Sequence, residues 1–157
     1  MEFVELAEKY CSLIENIESL TIEKLFIECE HILPQIFSYG INLEYNADCI
    51  DEDETAMDVE SPLAILSDFL GENNYYNCIF DPIKEEEVVV GSIADDLADI
   101  YLDLKRPLLQ FRQNTEKAKS NALWQWQFNI LHHSGDHILN VLKPIFWINH
   151  THGIKEP

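Results

Sequence analysis

Two groups of side chains in the second half of the sequence have the types and spacing of a metal site. Asp96, Asp99 and Asp103 recur at intervals of three and four residues, which places them along one edge of a predicted helix. His133 and His137 are four residues apart, the spacing at which two imidazoles on one helix can converge on a single ion. Mixed histidine and carboxylate donors favour Zn²⁺, Mn²⁺ or Fe²⁺ over Mg²⁺.

The acids and the histidines are predicted to lie at the same level of an antiparallel helix pair. The turn expected near residue 115 follows the first two acids by about 18 residues and precedes the histidines by about 20, each adding ~1.5 Å along a helix. We therefore take Asp96, Asp99, His133 and His137 as candidate ligands of a divalent metal. The simpler alternative is a structural Asp–His pair, because an unpaired buried imidazole costs about 1–3 kcal/mol. The two predicted helices that carry these residues also lack the E-x-x-H motif of di-iron bundles.

The helix that carries the acids is predicted to begin at Ser92, which has the N-cap residue type and forms a capping box with Asp95. Asp95 itself is expected to point to solvent. Pro107 is expected to bend the helix. Its buried stripe repeats at intervals of three and four residues and comprises Ile93, Leu97, Ile100, Leu104, Leu108 and Phe111.

The helix that carries the histidines is predicted to run from about residue 115 to 148, with distortions at Gly135 and Pro144. It is apolar on two sides, which is typical of a helix wedged among several others. One side holds Trp124, Phe128, Leu131 and Leu142, and the other holds Trp126 and Ile130 and continues to the two histidines. The tail from residue 150 is expected to be loose.

The first half of the chain predicts further helices. Apolar periodicity indicates helices over 2–18 and 22–40 and a short helix from Ser61-Pro62 to Gly71. Pro34 is expected either to kink the second helix or to split off its last turn, and Gly40 is expected to end it. Residues 44–60 hold eight acids and no base, which predicts a solvated loop or crossover. They lack the glycine and oxygen ladder of an EF-hand. Residues 72–90, including the three consecutive valines from 88, are predicted to be coil. The predicted fold is an all-α, single-domain up-down bundle of about five helices spanning 1–157, with a long acidic connection.

Composition restricts the classes of partner. The chain has 29 acidic and 10 basic residues, a formal net charge of −19, so direct binding to nucleic acid or to an anionic membrane surface is not expected. The four cysteines include no C-x-x-C pair. The N-terminus has neither the basic region nor the apolar core of a signal peptide. These features predict a cytoplasmic protein with reduced thiols.

Two motifs together resemble a known family. GSIADDLADIYLDLKR (91–106), preceded by FDP at 80–82, and W-x-W-x-F with H-x-G-x-H (124–137) resemble a bacterial family of uncharacterised helical proteins, a domain of unknown function. The resemblance covers nearly the whole chain and is strongest from residue 75. It implies the helical fold and draws attention to Asp95, Asp96, Asp99, His133 and His137. Pro107 and the acidic 44–60 segment depart from the pattern, and the family implies no activity.

Three functions are compatible with the sequence. No strong catalytic motif is present, so we expect a non-catalytic protein-interaction module with a protein partner. The alternative is a metal-dependent, hydrolase-like site at the Asp and His residues. Asp95-Asp96-x-x-Asp99 distantly resembles the E-E-x-x-E motif of all-α nucleotide pyrophosphohydrolases, but the second acidic motif of those enzymes is missing. A third hypothesis is acidic mimicry or inhibition of a nucleic-acid-binding protein, which predicts salt-sensitive capture of basic partners through the acidic 44–60 segment.

Overall fold

A computed structural model describes residues 2–50, 57–79, 81–84 and 87–155. The described residues form six α-helices and one two-stranded sheet. None of the described helices combines the length and the apolar character needed to span a membrane. In chain order the elements are α1 (Glu2–Glu15), α2 (Ile22–Gly40), α3 (Leu63–Leu70), β1 (Tyr75–Cys78), β2 (Val89–Ser92), α4 (Ile93–Phe111), α5 (Glu116–His132) and α6 (Ser134–Trp147).

The predicted mostly helical fold is confirmed, and α4 lies at its centre, against α1, α3, α5 and α6. The expected stripe from Ile93 to Leu108 is buried and belongs to one hydrophobic core. Two buried polar groups from other helices also bind the α4 backbone. The Tyr10 hydroxyl donates to the carbonyl of Leu97 at 2.9 Å, and the Trp126 indole N–H donates to the carbonyl of Leu104 at 3.0 Å. Because a buried donor without an acceptor is costly, these bonds help to fix the positions of α1 and α5 along α4.

The first two helices form the expected hairpin. The Thr21 hydroxyl accepts from the backbone N–H of Lys24 at 3.2 Å and so caps α2. The prediction that Pro34 splits off the last turn is wrong, because α2 continues through it to Gly40. A proline removes only one hydrogen bond from a helix, and here Leu33 and Ile36 on either side of it are buried in the core.

Residues 72–90 contain an antiparallel hairpin where the sequence predicted coil. Tyr75 in β1 pairs with Ser92 in β2, and Cys78 pairs with Val89. An isolated hairpin is marginally stable, but this one is joined to the start of α4. The Asn74 carboxamide oxygen accepts from the N–H of Ala94 at 2.7 Å, which holds the hairpin against the first helical turn.

The predicted last helix is two helices, α5 and α6, which meet at His133. This residue has φ −147° and ψ −82°, values outside the helical region. A Cβ on Gly135 would lie 2.0 Å from the carbonyl oxygen of Ile130, so the two helices approach as closely as they do only because glycine occupies this position. Trp126 and Ile130 are buried as expected, whereas Phe128 and Leu131 on the other side are exposed. The prediction of two buried faces is therefore wrong for α5.

The tail is held in place as far as residue 155, where the sequence predicted a loose end. The chain continues α6 as a π-helical turn over Ile148–His152. Beyond it, the backbone N–H of Lys155 donates to the Asn73 side-chain oxygen at 2.8 Å. The Asn73 amide returns a hydrogen bond to the carbonyl of Lys155 at 3.1 Å. A pair of hydrogen bonds between one side chain and the backbone of the tail orders a segment that its own composition would leave free.

Part of the acidic segment lies outside the described residues. Residues 51–56 are not described, and they include the acidic run compared above with an EF-hand loop. The phenylalanine at position 80 is also outside the described residues. Before the run, the Asn46 side chain accepts from the N–H of Asp48 at 3.1 Å and begins a short 3-10 turn over Ala47–Cys49. After it, α3 starts at Leu63 and ends at Leu70, and the Gly71 that follows has a positive φ of 52°, which suits the glycine predicted to stop the helix.

Thiol reactivity should divide the four cysteines into two pairs. Cys11 and Cys29 are buried, whereas Cys49 and Cys78 are partly exposed. Burial raises the pKa of the Cys11 thiol to about 12 and also raises the pKa of Cys29. We therefore expect iodoacetamide at pH 8 to modify Cys49 fastest in the folded protein, Cys78 more slowly because burial also raises the pKa of its thiol, and Cys11 and Cys29 only after unfolding, because alkylation requires the thiolate. Mass spectrometry of timed digests measures this, and modification of Cys11 as fast as Cys49 would contradict it.

Candidate metal centre

The first three turns of α4 present three acids, Asp96, Asp99 and Asp103, along one side. The Ser92 hydroxyl accepts from the N–H of Asp95 at 3.2 Å, so the predicted N-cap is confirmed. Asp95 is exposed, as expected, whereas Asp96 is buried and Asp99 and Asp103 are partly buried. The helix therefore directs one carboxylate per turn, from Asp96 to Asp103, towards the neighbouring α6.

Both histidines face this row of acids. The rings of His133 and His137 lie 4.9 Å apart between centroids. One ligand atom from each of Asp99, His133 and His137 lies within 4.8 Å of the others. Within the part of the chain that the structure describes, no other group of three histidine, cysteine or acidic side chains comes this close. The structure thus brings together three of the four candidate ligands.

Asp96, the fourth candidate, lies behind His137. Its Oδ1 is 2.7 Å from Nδ1 of His137. Asp103, which the sequence placed on the same helix edge but not among the ligands, has the same relation to His133, with Oδ2 2.8 Å from Nδ1. In each imidazole, Nδ1 therefore contacts a carboxylate, and Nε2 is the nitrogen that can bind another partner. Metal-binding histidines in proteins have this arrangement, in which an outer carboxylate orients the ring and fixes its tautomer.

Tyr76 completes the outer shell, and the sequence did not indicate it. Its hydroxyl donates to Oδ2 of Asp96 at 2.6 Å. Tyr76 reaches the acid because it lies opposite Gly91 in the hairpin, where a Cβ would be 2.6 Å from Cζ of the tyrosine ring. A glycine directly after a run of three valines is a weak signal by itself. It becomes informative only when the pairing of the two strands is known.

The hydrogen-bond network fixes the protonation pattern around Asp96. Burial, together with the hydrogen bond to Asp96, raises the pKa of Tyr76, so its hydroxyl remains the donor. The hydrogen bond to Asp96 also raises the pKa of His137, against the opposing effect of burial. With Oδ1 of Asp96 as acceptor, Nδ1 of His137 carries the proton. In the neutral ring, Nε2 then has its lone pair on the side of Asp99.

The separation between His137 and Asp99 suits two ligands of one ion. Nε2 of His137 lies 3.4 Å from Oδ2 of Asp99, compared with 2.7 Å for the hydrogen-bonded contact between Nδ1 and Asp96. Two donors that each bind a tetrahedral zinc at about 2.1 Å are about 3.4 Å apart. The His137 ring therefore makes a short hydrogen-bonded contact to Asp96 through Nδ1. Its Nε2 lies at a longer distance from Asp99, and that distance is the one expected between two ligands of the same ion.

Replacing Tyr76 with phenylalanine tests the outer shell. The change removes one hydroxyl and leaves the aromatic ring, so the hairpin should keep its packing. We expect Zn²⁺ affinity to fall about 10-fold or more, because loss of an outer-shell hydrogen bond typically costs 10–100-fold. Competition with a chromophoric chelator measures the affinity. Tyr75→Phe is the matched control, because Tyr75 is exposed. The Zn²⁺ affinity of this variant should equal that of the unmodified protein.

Comparison with known proteins identifies a family. Residues 1–150 match the family model described as a domain of unknown function (DUF5063). The chain therefore belongs to this family. The crystal structure of protein BF1032 from Bacteroides fragilis is similar, with a TM-score of 0.80 and 21% sequence identity, over 99% of this chain and 94% of that one. At this identity the likeness shows the shared fold. No curated protein matches the sequence.

Proposed function

We propose that this member of the DUF5063 family binds one divalent transition-metal ion through Asp99, His133 and His137. The observation that carries the proposal is the close approach of one ligand atom from each residue, within 4.8 Å. Asp96 and Asp103 support it, because they hold both Nδ1 atoms and leave both Nε2 atoms for the ion. Two imidazoles and one carboxylate are a donor set for Zn²⁺ or Fe²⁺.

The site favours a chemical role over a structural one. Structural zinc sites are closed by four protein ligands, whereas catalytic sites use three and leave a position for water. The His133 side chain is 53% exposed and that of Asp99 33%, so solvent can reach the fourth position. A zinc ion lowers the pKa of its bound water towards about 7, which makes a hydroxide nucleophile. Hydrolysis of an ester or a phosphoester is the reaction class that follows.

The donor set differs from that of the all-α nucleotide pyrophosphohydrolases, which the acidic motif distantly resembles. Those enzymes hold Mg²⁺ with carboxylates, and Mg²⁺ prefers oxygen ligands in octahedral geometry. Here two of the three ligands are imidazoles, and Asp95, the first acid of the motif, points to solvent. The predicted role as a protein-interaction module stays a prediction, and it does not depend on this site.

Metal titration of chelator-treated protein tests the proposal. We expect one Zn²⁺ per chain, one Co²⁺ with the intense visible absorption of a four-coordinate site, and no binding of Mg²⁺ at similar concentrations. Asp99→Asn should lose most of this affinity, and Asp95→Asn is the matched control, since it makes the same charge change one turn away. Equal affinity of the two variants would remove Asp99 from the site.

Hydrolysis needs a separate measurement. Zinc-loaded protein is expected to hydrolyse 4-nitrophenyl esters or phosphoesters faster than both the metal-free protein and the Asp99→Asn protein, whereas zinc-loaded Asp95→Asn protein should be as active as the unmodified chain. If the ion binds with the expected stoichiometry and no substrate of either class turns over, the hydrolytic assignment is wrong and the binding assignment stands.

A further inference from the structure

A second feature of the molecule is a cavity of about 830 Å³ between the β-hairpin and the outer side of α6. Its size falls within the range of about 300–1,000 Å³ that is usual for small-molecule sites. The tail that follows α6 closes one end, because His152, Gly153 and Lys155 belong to the lining. We infer that this cavity binds a small amphipathic acid, a molecule with an apolar body and one carboxylate.

The apolar residues of the cavity wall would contact the apolar body of the ligand. Ile79 and Val88 come from the hairpin side, and Leu139, Pro144 and Trp147 come from α6. Four of these five are large side chains that the fold leaves exposed: Ile79, Val88, Leu139 and Trp147. Apolar groups that face one another across a cavity gain roughly 25 cal/mol for each Å² removed from water. An apolar ligand would cover them all at once.

The charged residues that line the cavity indicate why the ligand would carry a carboxylate. The whole chain carries 29 acids and 10 bases, yet the cavity is lined by two of each: Glu72, Asp136, Lys143 and Lys155. Asp136 already accepts a hydrogen bond from Asn140 at 3.2 Å. The ammonium group of Lys155 donates to a backbone carbonyl, that of Glu72, at 3.3 Å.

Lys143 is the group that would meet the ligand's charge. Most other lysines and arginines pair with a carboxylate, as Lys24 does with Glu28 at 2.8 Å. No salt bridge or hydrogen bond joins the Lys143 ammonium to any described residue. On so acidic a protein, a cation that contacts no carboxylate of the described residues and lines an apolar cavity favours an anionic head group over a neutral or cationic one.

The cavity and the metal centre are separate sites with one shared wall. Asp99, His133 and His137 are absent from the lining, whereas Tyr76 belongs to it. The Tyr76 hydroxyl points to Asp96 on the metal side, and its ring faces the cavity. The inference therefore does not require the metal to bind, and both forms of the protein can be tested.

Binding of decanoate to the full-length chain tests the inference. We expect saturable binding of one decanoate per chain, followed by isothermal titration calorimetry and by the emission of Trp147, in metal-free and zinc-loaded protein alike. Decyltrimethylammonium, which has the same chain and the opposite charge, should bind at least about 10-fold more weakly. Decanoate should also slow alkylation of Cys78, which lines the cavity, and leave the rate at Cys49 unchanged.

Two variants and one control connect the binding to the cavity. Lys143→Ala should weaken decanoate binding about 10-fold, since one charge-assisted hydrogen bond is worth roughly that factor. Lys24→Ala, with the same charge change on α2, should have no effect. Leu139→Asp, at an exposed position, should remove binding without unfolding the protein.

Three results would overturn the inference: no saturable binding of decanoate, equal binding of decanoate and the ammonium analogue, or unchanged affinity in both Lys143→Ala and Leu139→Asp. Co-sedimentation with phosphatidylcholine–phosphatidylglycerol vesicles, together with no binding of free decanoate, would assign the cavity to a lipid surface instead. Loss of zinc binding in Asp99→Asn with normal decanoate binding would show that the two sites are independent.

Discussion

Replacing His133 with alanine should weaken Zn²⁺ binding by more than about 100-fold and leave the fold intact. Outer-shell substitutions at metal sites typically cost 10–100-fold, and this change removes a ligand itself. The cost to the fold should be small, because the His133 side chain is 53% exposed and its contact with Asp103 is open to solvent on the histidine side. His137 is a poorer target, since its removal would leave the buried carboxylate of Asp96 with only the Tyr76 hydroxyl.

The preceding residue supplies the control for this experiment. His132 is also an exposed histidine, but its ring packs on Phe128, 4.6 Å away between centroids, and not on the acids of α4. His132→Ala should therefore keep the full affinity for zinc. Circular dichroism should give equal thermal midpoints for the two variants in chelator. Equal zinc affinities for them would mean that the ion, if it binds, does so elsewhere.

The meeting of the α4 acids with the histidines could be predicted from sequence because it depends only on local rules. Ser92 and Thr115 have the residue types of N-caps, and both cap a helix. These caps fix the starts of two antiparallel helices, and the constant rise per residue then sets which side chains share a level. The common level of Asp99 and His133 follows from that geometry without knowledge of any long-range contact, whereas the position of His137 also depends on the junction between α5 and α6.

The outer shell could not be predicted in this way because it depends on pairing between distant segments. Tyr76 reaches Asp96 only because β1 pairs with β2 in a register that puts Tyr76 opposite Gly91. Four-residue strands carry too little alternation to indicate their partner. The anchoring of the tail by Asn73 and Lys155 likewise joins residues far apart in the sequence and has no local signal.

The break at His133 is an intermediate case. The sequence indicated a distortion near Gly135, since glycine is unfavourable within a helix. The wheel argument nevertheless treated His133 and His137 as members of one helix, whereas α5 ends at His132 and α6 begins at Ser134. The two rings still converge, with 4.9 Å between centroids, because the junction turns sharply over few residues. Their convergence depends on the geometry of the junction and not on helical periodicity.

Gly135→Ala should therefore destabilise the protein by about 3 kcal/mol or more and also reduce its affinity for zinc. In an unconstrained helix the same substitution would stabilise by about 1 kcal/mol, because alanine has the higher helix propensity. Here the new Cβ would lie 2.0 Å from the backbone oxygen of Ile130, so the α5–α6 junction must open to admit it. Overpacking of a core usually costs 1–3 kcal/mol, and an obstacle made of backbone belongs at the upper end of that range.

Urea denaturation measures the first effect, and its sign distinguishes the two expectations. Asn140→Ala, which also places alanine within α6 but at a partly exposed position, should be neutral or slightly stabilising. The second effect follows from the position of Gly135 between the two ligands. Opening the junction moves His133 relative to His137, so zinc affinity should fall although no ligand has been removed.

Comparison with Gly40→Ala shows why a backbone obstacle matters. A Cβ on Gly40 would also lie 2.0 Å from Ile130, but from the end of its side chain, Cδ1. Adding Ile130→Val removes that methyl group, so it should recover part of the stability lost in Gly40→Ala. It should recover none of the stability lost in Gly135→Ala, because the carbonyl oxygen remains. Rescue of both variants by Ile130→Val would mean that the Ile130 side chain, and not the backbone junction, sets the distance between the two histidines.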